Sequence, residues 1–316
     1  MRKAVVVAGL LTAVLWSEHA AAQTYPERVI EMVNPYPPGG ATDTMGRALA
    51  EGLSAQLGQR FVFINRPGAN GAIGTVAVAR AAPDGHTLLF TAAVSMVVNP
   101  LTQAQTGYTL SSFEHICQTF KNEMVIVAHP DSPLKSVADL IKAANDKPGA
   151  LSYGILGIGS IPHLSMVELS QAAKVSFTAV PFKGDADVLQ QVYGRHVDFG
   201  AVVLASAARS ELRILGVFSQ QRNPAVPEVP TLRETGYDVA PFSIGGVSAP
   251  AGLRPEVKRK LAEACKVAAA GEGYAKVMKT IHQPTDYYAD GEHYTQALAQ
   301  DLEDKRRLLG QLGMIK

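Results

Sequence analysis

The chain has 316 residues, 47% of them hydrophobic and 18% charged, and 29 Lys and Arg stand against 28 Asp and Glu for a formal net charge of +1. This composition excludes a disordered chain, which needs fewer apolar residues and a larger net charge, and 28 Gly with 19 Pro exclude a collagen-like one. The charge balance also excludes the basic domain or stripe by which a nucleic-acid partner is held.

A basic Met1-Arg2-Lys3 head, an apolar run from Ala4 to Trp16 and small residues at Ala20-Ala21-Ala22 before Gln23 make a secretory leader. It is shorter than the roughly 20 residues of a membrane span. Cleavage after Ala22 also removes Arg2, Lys3 and Glu18, leaving 294 residues with 27 basic and 27 acidic side chains. The exported protein is expected to be formally neutral.

From Arg28 onward, short apolar runs alternate with amphipathic stretches. Val29 to Val33 reads as a strand, Pro35 to Gly40 as a loop, and Asp43 to Leu57 as a helix with Met45, Leu49, Leu53 and Leu57 on one stripe. Phe61 to Ile64 is a strand, Arg66 to Gly71 a turn-rich loop, Ile73 to Ala81 a helix, and Thr87 to Thr91 a strand. The rhythm restarts after Cys117 with a strand at Met124 to Ala128, a helix from Ser136 to Ala144 capped by Ser136, and a strand at Leu151 to Ile155. A Gly157-Ile158-Gly159-Ser160 loop enters a helix at His163 to Ala173. Phe177 to Val180, Ala186 to Val192, Val197 to Val203 and Leu212 to Phe218 continue as strand, helix, strand, strand, and the tail from Pro255 is mainly helical. Strands alternating with helices predict two α/β units with parallel strands, and Gln220 to Pro230 is the expected crossing between them.

Two loops run from a strand end into a helix start: Tyr36-Pro37-Pro38-Gly39-Gly40-Ala41-Thr42-Asp43 and Gly157-Ile158-Gly159-Ser160-Ile161-Pro162-His163. Each exposes the free N–H groups of a first helical turn, where the macrodipole is positive and glycine admits a ligand close to the backbone. Together they predict an anion site built without Arg or Lys. Lys183-Gly184-Asp185 is a third such loop; Lys183 faces either an anion or solvent, and Asp185 reads first as an N-cap. Neither the Walker nor the dinucleotide glycine pattern occurs, nor do a G-x-S-x-G elbow, an H-E-x-x-H pair or Cys/His metal spacing. Ser160 and His163 fit a helix start better than a nucleophile and its base, and Asp43 fits a first-turn carboxylate. No cofactor is expected. Cys117 and Cys265 are either one bridge, worth about 4 to 5 kcal/mol in the chain-entropy model, or two buried thiols.

These motifs in this order resemble the substrate-binding receptors of tripartite tricarboxylate transporters, the Bug family. The matching stretches are Pro37 to Asp43, Asn65 to Gly71, Pro83-Asp84-Gly85-His86-Thr87, His129-Pro130-Asp131-Ser132-Pro133, Gly157 to His163, Val180 to Gly184, Val229 to Glu234 and Ala249-Pro250-Ala251-Gly252. The resemblance implies an α/β, two-lobed periplasmic binding protein of the Venus-flytrap, type II-like kind, each lobe a mixed, mainly parallel sheet flanked by helices. It places lobe I at 23–120 plus 221–316 and lobe II at 121–220. It also implies a periplasmic, monomeric receptor, not an enzyme, which hands a small carboxylated solute to integral-membrane transporter subunits.

By the same resemblance the ligand-binding residues are Tyr36, Pro38, Gly39, Gly40, Ala41, Thr42 and Asp43 in one jaw and Gly159, Ser160 and His163 in the other. Lys183, Gly184 and Asp185 lie nearby, and Ser95 and Asn99 fall in the variable pocket region. The segment Pro241-Phe242-Ser243-Ile244-Gly245-Gly246 departs from the aromatic residue that many relatives carry before this strand. Two rival readings are a ligand-presenting sensor for a two-component system and an exported α/β hydrolase or isomerase.

Overall fold

Period-two apolar runs and four-spaced apolar stripes fold here into one alternating α/β chain. The computed structural model describes residues 25–315 apart from 104, 284, 286 and 312. The expected leader, residues 1–22, lies outside the described residues. The first unit is β1 (Ile30–Asn34), α1 (Ala41–Leu57), β2 (Phe61–Asn65), α2 (Ala72–Ala79) and β3 (Thr87–Ala92). Two four-residue helices, α3 (Val94–Val97) and α4 (Asn99–Thr102), precede the 16-residue β4 (Phe113–Ala128). Next come α5 (Val137–Asp146), β5 (Ser152–Ile155), α6 (Ile161–Ala173), β6 (Thr178–Pro181), α7 (Asp185–Tyr193), β7 (Phe199–Val203), α8 (Leu204–Ala207) and β8 (Arg213–Phe218). An irregular segment leads to β9 (Phe242–Pro250), then α9 (Pro255–Ala270), α10 (Glu272–Thr280), the two-residue β10 (Ala289–Asp290) and α11 (Gly291–Gln311).

Parallel ladders join β2, β1 and β3 at one end of the sheet and β6, β5 and β7 at the other. Antiparallel β9 and β4 connect them, giving the order β2-β1-β3-β9-β4-β7-β5-β6, with β8 and β10 also on β4. Along its length β4 changes partners: Phe113 to Glu123 pairs with β9, and Met124 to Ala128 pairs with β7 and β8. The sequence pattern gives strand bounds only for the second half, Met124 to Ala128, and marks the first only as a strand-like segment around Cys117. In the first half the ladder shifts register between His115 and Cys117 and again between Gln118 and Phe120, and such bulges break the period of two.

The second half of β4 is buried on both faces: Met124, Ile126 and Ala128 pack into the larger apolar cluster, Val125 and Val127 into the smaller. Met45, Leu49, Leu53 and Leu57 of α1 are all buried on one stripe. Ser136 caps α5 by accepting the Asp139 N–H. Cys117 on β4 and Cys265 on α9 are joined in a disulfide with Cα atoms 6.6 Å apart. Among the described residues no helix is long and apolar enough to cross a membrane.

Candidate ligand-binding site

The β1–α1 and β5–α6 loops follow one local plan. Gly39 has φ +83° and Gly159 φ +79°, a left-handed backbone that glycine adopts without strain. Each is followed by an extended N-cap, Gly40 or Ser160. The Gly39 N–H donates to Asp43 Oδ2 at 2.9 Å, and the Gly159 N–H donates to His163 Nδ1 at 3.1 Å. In both loops the amide preceding the cap is therefore satisfied by the side chain four residues on.

Asp43 holds the first loop with its other oxygen as well, accepting from Arg47 Nε at 3.0 Å and Asn65 Nδ2 at 2.9 Å. Asn65 Nδ2 also donates to the Tyr36 carbonyl at 3.1 Å. Burial pushes the Asp43 carboxyl up, but the bonds from Arg47, Gly39 and Asn65 outweigh it and hold the group below the ordinary carboxylate range. Burial lowers the His163 pKa, so the neutral ring accepts from Gly159.

Both contributions are lost on acidification, because the folded state favours the deprotonated form of each group. The His163 bond should fail first, as pH falls through its lowered imidazole pKa, and the Asp43 bond only below the carboxylate range. An NMR titration should therefore move the Gly159 amide resonance before that of Gly39. The reverse order would contradict this reading of the loops.

The two helix starts differ in what they leave free. Ser160 Oγ accepts the His163 N–H at 3.4 Å and donates to the Gly157 carbonyl at 2.8 Å, so α6 is capped. Among the described residues no side chain caps α1 or α7, and their first-turn amides remain available to a ligand. Asp185 is the first residue of α7, and Gly184 is its N-cap, which corrects the N-cap reading of Asp185. The Asp185 carboxylate instead reaches the junction of β7 and α8, where Oδ2 accepts from Ser206 Oγ at 2.8 Å and the Val203 N–H at 3.4 Å. Burial pushes its pKa up to about 6 against those two bonds.

The three helix starts converge on a cavity of about 100 Å³. Tyr36, Pro37, Pro38, Gly40, Ala41 and Thr42 form one wall; Leu156, Ser160, Ile161 and Pro162 a second; Gly184, Asp185 and Ala186 a third. Strands and the start of α3 complete it with Ala92, Val94, Asn122, Met124, Val203 and Ser243. A larger hollow adjoins it between loops 67–71 and 182–187 and includes Lys183.

Of the residues predicted for the site, Gly39, Asp43, Ser95, Asn99, Gly159, His163 and Lys183 do not line the inner cavity. Gly39, Asp43, Gly159 and His163 shape the two loops. Ser95 bonds to Thr91 at 2.8 Å, and Asn99 Nδ2 holds the Asn70 carbonyl at 3.0 Å, bracing loop 67–71 at the outer hollow.

Asn122 was not foreseen, and Ser243, within the singled-out segment 241–246, was not named as a site residue. They face each other across the β4–β9 ladder, a juxtaposition of residues distant in sequence. Their one sequence signal is a polar residue beside an apolar strand run. Among the described residues, Asn122 Oδ1, Ser243 Oγ and Asp185 Oδ1 are all shut off from solvent without a hydrogen-bond partner. Burial drives the Tyr36 pKa well above its ordinary value against the pull of the nearby Thr91 and Ser95 hydroxyls. Buried polar atoms are ordinarily paired, and the three at Asn122, Ser243 and Asp185 around one cavity mark the place where a ligand completes the network.

The sequence profile of the tripartite tricarboxylate transporter family receptor matches residues 45–314. The protein BugT of Bordetella pertussis is 33% identical over 292 residues, covering 85% of this chain and 88% of BugT. The structure of periplasmic binding protein BugD is 30% identical with a TM-score of 0.84, covering 92% of this chain and all of that one. A Rhodopseudomonas palustris protein with adipate is 26% identical with a TM-score of 0.85, covering 92% and 98% of the two chains. The fold is thus that of a two-lobed periplasmic binding protein, and the chain belongs to the receptor family of the tripartite tricarboxylate transporters.

Proposed function

We propose that this receptor captures a small carboxylic acid between two lobes, residues 23–120 with 221–316 and residues 121–220, and delivers it to a tripartite tricarboxylate transporter. The observation that carries the reading is the uncapped first turn of α1 on the inner cavity, opposite the starts of α6 and α7. Among the described residues no Lys, Arg or His lines that cavity, so an acid bound there is held by oriented amides, whose partial charges act strongly where water is excluded. The malate and adipate held by two structural relatives support an acid as the ligand class. Ser160 and His163 spend their facing polar atoms on the start of α6, which favours binding over turnover.

The change of β4 partners at Glu123 and Met124 supports the lobe division. Closure then follows if the ligand binds the closed form more tightly than the open one. Calorimetry against mono- and dicarboxylates should find at least one ligand of about micromolar affinity, which three or four charge-assisted bonds supply before ordering costs. Native mass spectrometry of protein purified without denaturation should show a retained small acid. Heat-free titrations across the whole panel would overturn the reading.

A further inference from the structure

We infer that Asp185 selects a ligand carrying a protonated amine beside its carboxylate, so that the preferred solute is an amino acid and not a plain mono- or dicarboxylate. This inference rests on the carboxylate-receptor reading above and names the substrate class within it.

Asp185 lines the inner cavity at the start of α7. Its two oxygens are used unequally: Oδ2 accepts from Ser206 on α8 and from Val203 at the end of β7, while Oδ1 is enclosed and has no partner among the described residues. The opposing influences on this carboxyl are its burial and those two neutral hydrogen bonds, with no cation among them. Lys183 sits on the exposed loop before α7, and Asp187 within α7 adds charge of the same sign. An enclosed carboxylate without a counter-ion is costly, and a plain dicarboxylate would bring it a second negative charge. An ammonium group brings the missing cation together with three donors.

The rest of the cavity has the matching polarity. Ala41 and Thr42, at the uncapped start of α1, offer donors. Asp185 Oδ1 and Asn122 Oδ1 offer enclosed acceptors. These two acceptors belong to one region: Asn122 lies two residues from Met124, on the same face of β4, and Met124 pairs with Val203, whose N–H binds Asp185. A cavity with a donor end and an acceptor end fits a zwitterion.

The test is calorimetry at neutral pH with acids matched except for the amine: aspartate with succinate, glutamate with glutarate, and 4-aminobutyrate with butyrate. The wild-type protein is expected to bind the amine-bearing member of its best pair at least about tenfold more tightly, the size of one charge-assisted bond. Asp185→Asn is expected to shrink that preference to within about threefold. Malate supplies a wild-type control, offering a hydroxyl donor without charge in place of the aspartate amine. If malate or succinate matches aspartate when that pair is the best bound, the inference fails even if Asp185→Asn does not fold. A preference retained in a folded Asp185→Asn protein also overturns it. Binding of acids regardless of their amine defeats the amine selection alone, whereas absence of binding by every acid defeats the carboxylate reading and this inference with it.

Discussion

Reduction of the Cys117–Cys265 disulfide is expected to lower the free energy of unfolding by about 5 kcal/mol, the chain-entropy value for a bridge spanning 148 residues. The thermal midpoint should fall by roughly 10 to 15 °C. The bridge joins β4, the strand shared by both halves of the sheet, to α9 in the C-terminal helical segment. Cutting it frees the unfolded chain while the packing around both cysteines, each fully buried, remains. The same burial keeps reductant away from the folded protein, so cleavage should follow the rate of opening and not the reductant concentration once reductant is abundant. Double replacement, Cys117→Ser with Cys265→Ser, gives the equilibrium comparison free of that kinetic barrier, although each serine also buries a hydroxyl. Scanning calorimetry of the reduced protein showing an unchanged midpoint would refute the stabilising role. Ligand affinity measured well below the lowered midpoint should not change, because neither cysteine lines the cavity.

What the sequence disclosed about the site, and what it withheld, divides along the distance over which residues act. The starts of α1 and α6 were legible because Gly40-Ala41-Thr42-Asp43 and Ser160-Ile161-Pro162-His163 carry their signals within one turn. Six of the wall residues, Tyr36, Pro38, Gly40, Ala41, Thr42 and Ser160, came with them. Asp43 and His163 were found by the same signals yet play a different part: each turns back to the glycine four residues earlier, and only the folded loop shows that direction. Asn122 and Ser243 were hidden because their meaning depends on a ladder between strands far apart in sequence. The extent of the first half of β4, strand-like at Cys117, was hidden by its own bulges and by polar residues such as Gln118 and Thr119 that interrupt the apolar alternation. Asp185 illustrates both limits, since its place at a helix start is local but its bonds to Val203 and Ser206 are not.

Ala41→Pro is expected to weaken binding of the preferred acid by about 10- to 100-fold while leaving the thermal midpoint near that of the wild type, the loss of one charge-assisted hydrogen bond. Ala41 is the first residue of α1, and the first bond of the helix runs from the Thr44 N–H to the Gly40 carbonyl at 3.1 Å. The Ala41 N–H therefore has no role in the helix ladder, and proline is at home in this position because its fixed φ suits the first helical turn. Gly40, with φ −75° and ψ 174°, already has the extended backbone that a following proline demands. The substitution removes one donor from the cavity wall and keeps the helix. Glu272→Pro, at the first position of α10, makes the same change at an exposed helix start outside the cavity. It should leave affinity unaltered, so that a general effect of proline is separated from loss of the Ala41 amide. Wild-type affinity in a folded Ala41→Pro protein would remove α1 from the proposed jaw. The acid would then have to be held by α7 and the polar strand residues, because α6 is already capped by Ser160.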